Sequence, residues 1–164
     1  MSFRKFTASV TRPNDTTQYA VGDVIAADTP VPLTFTNVVL SNNGSNRIVK
    51  AMAVDGAAQA TKAQIDLYLF DTTLTVDADN AAFTPTDAEM EKLVAIIRFD
   101  TFVPGDATAG AGGNAVAFGK NLEGFQNTPI RAALNSRTLY GVAVAKNTYT
   151  PVADEVFTFT LWVE

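Results

Sequence analysis

Asp71, Asp77 and Asp79, with Asn80 beside them, are the side chains of this chain whose spacing comes closest to a chemical site. Closely spaced oxygen donors are what a hard cation such as calcium takes. The EF-hand order of ligands and its glycine are missing here, so a polar connection between two elements explains the stretch better. Gly110-Ala111-Gly112-Gly113-Asn114-Ala115 matches the GxGxxA spacing of a dinucleotide loop. That spacing binds pyrophosphate only where it opens a helix, and the continuation AVAFGKNL reads as a strand. Asn14-Asp15-Thr16 and Asn43-Gly44-Ser45 have the acceptor spacing for N-glycosylation and read as turns.

The chain contains neither histidine nor cysteine. Ser-His and Cys-His pairs are therefore impossible, and a zinc site would have to be all carboxylate. There is no GxxxxGK[ST] phosphate loop. A pair of carboxylates could still hydrolyse a glycosidic bond, but no spacing singles one out. The expectation is a non-enzymatic protein without catalytic centre, cofactor or metal.

Charge narrows the partners. The net charge is −5, and the twelve basic residues are scattered rather than clustered. Phosphate backbones require clustered cations, so no nucleic acid is expected. No apolar run reaches the length of about 20 residues that spans a bilayer, and MSFRKFTASV lacks the hydrophobic run of a signal peptide. A soluble protein with no membrane partner is expected. Residues 1–14 hold Arg4, Lys5 and Arg12 and no acid. Such a segment is either a basic arm able to dock on an acidic surface or a solvated first strand.

The elements that must carry these residues are β-strands. In EVFTFTLWVE, Phe157, Phe159, Leu161 and Val163 alternate with Thr158 and Thr160, the two-residue period of a strand with one buried face. Similar runs recur at FTASV, TQYAVGDVIA, LTFTNVVL, RIVKAMAV, AQIDLYLF, VAIIRFDTF, AVAFGKNL, TPIRAAL and LYGVAVAK. In RIVKAMAV the alternation puts Ile48 and Met52 on one face, with Val49, Ala51 and Ala53 on the other. Asn43-Gly44 is the strongest hairpin dipeptide and predicts that RIVKAMAV folds back on LTFTNVVL. One segment is helical: Thr86-Asp87-Ala88-Glu89 reads as a capping box opening a short helix near 86–92. VPGDATAGAGGNA is too rich in Gly and Ala for a core element and reads as a loop ordered by a partner or mobile. About eight to ten strands at this spacing make a β-sandwich or barrel. One domain is expected over residues 14–164, with residues 1–13 as its N-terminal arm or first strand. The amphipathic aromatics Tyr19, Tyr68, Tyr140 and Trp162 suit a core edge or a subunit interface.

Three stretches taken together carry a resemblance: RPNDTTQYAVGDVIA, DLYLFDTTLTVDADNAAFTPTDAEMEKLVAIIRF and LYGVAVAKNTYTPVADEVFTFTLWV. Their turn and packing patterns resemble small virion structural proteins of tailed bacteriophages, of the head-decoration or cement kind. The resemblance implies a jelly-roll-like antiparallel β-sandwich that assembles, often as a homotrimer, on the outside of a capsid, in contact with the major capsid protein. It implies a location on the virion, with the host cytoplasm as the place of assembly. Phe3, Arg4, Lys5, Phe6 and Arg12 are then the candidate capsid contacts, because aromatic and arginine side chains are common interface anchors. A carbohydrate-binding or adhesion module of a tail fibre or baseplate would share the sandwich and is the competing expectation.

Overall fold

Alternating side chains do close into two antiparallel sheets. The computed structural model describes residues 3–57, 61–104, 114–121 and 128–164. Its strands are β1 (Arg4–Thr11), β2 (Val24–Ile25), β3 (Leu33–Phe35), β4 (Ser45–Asp55), β5 (Ile65–Phe70), β6 (Leu93–Phe99), β7 (Val103–Pro104), β8 (Ala115–Phe118), β9 (Lys120–Asn121), β10 (Thr128–Arg131), β11 (Leu139–Ala145) and β12 (Val156–Val163). Among the described residues a single short helix, α1 (Asp87–Met90), precedes β6. Its cap is the expected box: the Thr86 side chain accepts from the Glu89 N–H while Glu89 Oε2 accepts from the Thr86 N–H. No helix among the described residues is long and apolar enough to cross a membrane.

The first sheet runs β1-β12-β4-β8-β7, with β10 also on β4; the second runs β2-β11-β5-β6-β9, with β3 also on β11. β8 and β10 occupy one lane beside β4, and β2 and β3 one lane beside β11. Setting aside the short flanking strands β7 and β9, eight lanes remain, two sheets of four. Numbered along the chain, they lie in the order 1-8-3-6 in one sheet and 2-7-4-5 in the other. This is the connectivity of a jelly roll.

The core lies between the sheets. Phe157, Phe159, Leu161 and Val163 of β12 meet Ile65, Leu67 and Leu69 of β5 and Ile97 and Phe99 of β6. The Phe99 and Phe159 rings pack tilted, their centroids 5.7 Å apart. Each such side chain, fully buried, contributes about 1.5–3 kcal/mol.

Three readings of the sequence need correction. Asn43-Gly44 makes a turn, with Asn43 in the left-handed region at φ 55° and the Gly44 N–H on Ser41 O, but not a hairpin. β3 belongs to the second sheet and β4 to the first, so the turn carries the chain across the sandwich. Ile48 and Met52 do not share a face. A bulge between Lys50 and Ile48, opposite Trp162 and Val163, shifts the alternation, so that Ile48, Ala51 and Ala53 are buried while Lys50 and Met52 face outward. AVAFGKNL is not one strand. It breaks at Gly119, after which β9 pairs with β6 of the opposite sheet. A Cβ at Gly119 would collide with Ile97 Cγ2 and stand 2.9 Å from Phe99 Cε1, so the crossover needs glycine. Most of the Gly- and Ala-rich loop lies outside the described residues.

Candidate functional site

A sandwich has two outer faces, and in this one they differ. On the second sheet, Tyr68 and Phe70 of β5, Val142 and Val144 of β11, and Val24 of β2 point outward. The chain covers them itself: Leu74, Val76 and Phe83, from the excursion between β5 and α1, pack on these residues as a second apolar cluster. The Tyr68 and Phe83 rings meet at 5.0 Å.

The excursion is held down by its acids. Asp79 Oδ1 accepts from the Ala26 N–H at 2.8 Å and from the Tyr19 hydroxyl, and Asp79 Oδ2 faces the Arg12 guanidinium at 3.0 Å. Asp77 accepts from the Thr84 N–H at 2.9 Å. Arg12, whose side chain is fully buried, also donates to Tyr19 Oη and to the carbonyls of Asp15 and Val152. Burial alone would lower the Arg12 pKa, but the hydrogen bond to Tyr19 and the Asp79 charge outweigh it and keep the guanidinium charged. Burial pushes the Tyr19 phenol up, and its bond to Asp79 adds to this. Tyr19 stacks flat on Tyr149 with centroids 5.1 Å apart. The stretch that resembled a cation loop is thus a peg in which Arg12 supplies the positive charge.

No second cluster of buried apolar residues forms on the outer face of the first sheet among the described residues. The register places Lys5, Trp162 and Lys50 side by side across β1, β12 and β4, with Phe118 of β8 next to them. The Lys5 ammonium lies 5.7 Å from the Trp162 ring centroid; that of Lys50 lies 4.8 Å from Trp162 and 4.6 Å from Phe118. Cations and rings therefore alternate across four strands, each holding its neighbour in place. Beside this row, Thr7 and Thr160 approach at 3.3 Å and Ser9 and Thr158 at 2.9 Å through their hydroxyls. Met52, Val54, Val116 and the exposed Val103 continue the surface. Arg47 and Arg131 stand at the β10 end.

The outward positions of these strands carry Lys5, Lys50, Arg47 and Arg131 and no carboxylate, in a chain of net charge −5. Glu164, beyond the end of β12, stands at the margin, its backbone paired with that of Arg47. From strand spacing and rise, four strands of eight residues give a plate of about 19 Å by about 26 Å.

The five sequence-chosen contact residues separate. Residues 4–11 form an edge strand of the sandwich rather than an arm. Phe3 and Lys5 are at the surface. Phe6 turns inward against the core, with the Arg4 guanidinium 5.2 Å from its ring centroid. Arg4 donates to the carbonyls of Asn37 and Val38 at 3.0 and 2.7 Å, tying β1 to the segment after β3. Arg12 is 2% exposed and committed to the Asp79 peg, which removes it from any contact surface. Lys50, Trp162 and Phe118 escaped the sequence reading as a group because only strand register brings them together. No family model matches this chain, and no curated protein matches it.

Proposed function

We propose that this protein is a non-enzymatic virion structural protein of the head-decoration kind, which binds the outside of a phage capsid and stabilises it. The observation that carries this reading is the inequality of the two outer faces. One is sealed by the chain's own excursion; the other is a flat plate, rich in threonine and aromatic side chains, positively charged on an acidic protein. Such a plate suits a rigid, acidic protein surface. Its rings and cations are already held in place, so little side-chain entropy is lost on docking. Complementary charge steers the encounter and sets the orientation.

In this reading the partner is the major capsid protein, and the outer face of the first sheet takes the place of an N-terminal arm as the contact. Stabilisation follows because a protein that binds neighbouring shell subunits opposes their separation. Self-association belongs to the same reading, with no stoichiometry fixed by the capsid contact itself. The faces of Trp162 and Phe118 are already occupied by lysine ammonium groups, which favours a protein partner over a stacked sugar.

The test is co-sedimentation with purified phage heads. The protein should pellet with them, saturate at a fixed ratio to shell subunits and raise the temperature at which heads release DNA. Binding to glycans with none to heads would overturn the reading in favour of an adhesion module.

A further inference from the structure

Sheet edges are templates for pairing, and proteins ordinarily blunt them with short strands, proline, charge or bulges. Most edges here are blunted in this way. β7 is two residues long and ends in Pro104, β9 and β2 are two residues long, β3 is three, and β10 contains Pro129. β1 differs. It runs eight residues in unbroken register with β12, without a bulge and without proline. Its only charges are Arg4 and Lys5 at one end, and Arg4 is turned inward onto Asn37 and Val38.

The direction of its unused backbone groups follows from one bond. The Arg12 N–H donates to Glu155 O at 2.9 Å, continuing the β1–β12 register. Hydrogen-bonded positions recur every second residue in an antiparallel ladder, so Arg4, Phe6, Ala8 and Val10 bond to β12. Lys5, Thr7, Ser9 and Thr11 therefore turn their N–H and C=O groups to the outer edge, which no strand among the described residues covers. Beside that edge lies a groove of about 410 Å³, lined by Ala8, Val10, Ala27, Val31, Pro32 and Leu33.

We propose that two copies of this chain pair antiparallel through β1, about a two-fold axis passing by Ala8. The sequence of β1 is complementary to itself in this register. Lys5 stands opposite the second copy's Thr11 and Thr7 opposite its Ser9, giving about eight new backbone hydrogen bonds, two for each of the four bonded pairs. Ala8 meets the second copy's Ala8 at the close, non-bonded position, where small side chains fit. The two Lys5 ammonium groups are kept at opposite ends. Centring the axis on Phe6 would bring the lysines together; centring it on Val10 would run the second strand into Pro13. In the favoured register the partner's Phe6 and Val10 flank the groove and extend the apolar layer. Pairing is isologous and closes at two copies. It also fuses the two outer plates into one continuous surface whose outward strand positions, among the described residues, carry no acid, although the pairing itself does not depend on what that surface binds.

Sedimentation velocity of the isolated protein at micromolar concentration tests this without any capsid. The expected species is a dimer. Ser9→Pro removes an N–H that points away from β12, so the fold and its melting temperature should hold while the dimer becomes a monomer. Ala8→Cys places a cysteine on the axis of a chain that has none, and mild oxidation should convert it to a disulfide-linked dimer. If Ser9→Pro fails to fold, Ser9→Lys, which sets added positive charge beside the axis, should give the monomer instead. A wild-type monomer or trimer as the sole species at about 100 μM, or a dimer that survives a folded Ser9→Pro or Ser9→Lys variant unchanged, would overturn the proposal.

Discussion

Replacing Arg12 by methionine tests how the excursion that seals the second sheet is anchored. The Arg12 side chain is fully buried and that of Asp79 is 7% exposed, with 3.0 Å between guanidinium nitrogen and carboxylate oxygen. Methionine keeps the chain's bulk and removes the charge, which leaves Asp79 with only the Tyr19 hydroxyl and the Ala26 N–H. Removing one partner of a buried pair typically costs about 3–5 kcal/mol, because the other charge stays desolvated. For a domain of this size, 1 kcal/mol lowers the melting temperature by about 2–4 °C, so the expected fall is roughly 6–20 °C. Thermal unfolding followed by circular dichroism measures it. The double variant Arg12→Met/Asp79→Leu should be more stable than Arg12→Met alone, since no charge is then stranded. An Arg12→Met protein that melts within about 1 °C of wild type would refute the peg and release the guanidinium for another role.

Gly119→Val should destabilise by about 1–3 kcal/mol through overpacking against Ile97, Phe99 and Ala51, read as a lower urea midpoint with an unchanged slope. The Glu89 carboxylate is held below its ordinary value of 4.5 by the Thr86 N–H and hydroxyl, so it should titrate below that value by NMR and move up in Thr86→Ala. The sign follows from the lowered folded-state pKa: the cap stabilises above about pH 4.5 and is lost as pH falls through the folded value. Lys50→Ala should increase the exposure of the Trp162 ring and red-shift its fluorescence, because Trp162 is the chain's one tryptophan and Lys50 lies over it.

Local signals in the sequence carried much of this fold. The alternation of Phe157, Phe159, Leu161 and Val163 and the Thr86–Glu89 cap describe interactions within one element, and both stand as read. What failed were statements about partners. Asn43-Gly44 specifies a reversal of direction, but the choice between returning along the same sheet and crossing to the other depends on which strands compete for β4, and β12 wins with seven paired residues. The bulge near Ile48 arises from the β4–β12 pairing and so leaves no trace in β4 alone. Arg12 looked like a surface cation because its buried partner, Asp79, lies 67 residues away. The cover of the second sheet did have a signal: Leu74 and Val76 alternate with polar residues in a stretch whose acids drew attention first. The row of cations and rings on the first sheet had none that a single strand could show, since Lys5, Lys50, Phe118 and Trp162 come from four strands.

The central claim is that the outer face of the first sheet, and not the acidic cover of the second, meets the partner. Head binding by the Lys5→Glu/Lys50→Glu variant, set against Asp87→Lys/Glu91→Lys on the cover, measures this most directly. The account predicts that reversing the two lysines abolishes co-sedimentation at low salt while the protein stays folded. It also predicts that rising salt weakens the wild-type interaction in the same direction, and that the cover variant binds as wild type does. Unchanged head binding by the lysine-reversed protein, with loss of binding in the cover variant, would contradict the account.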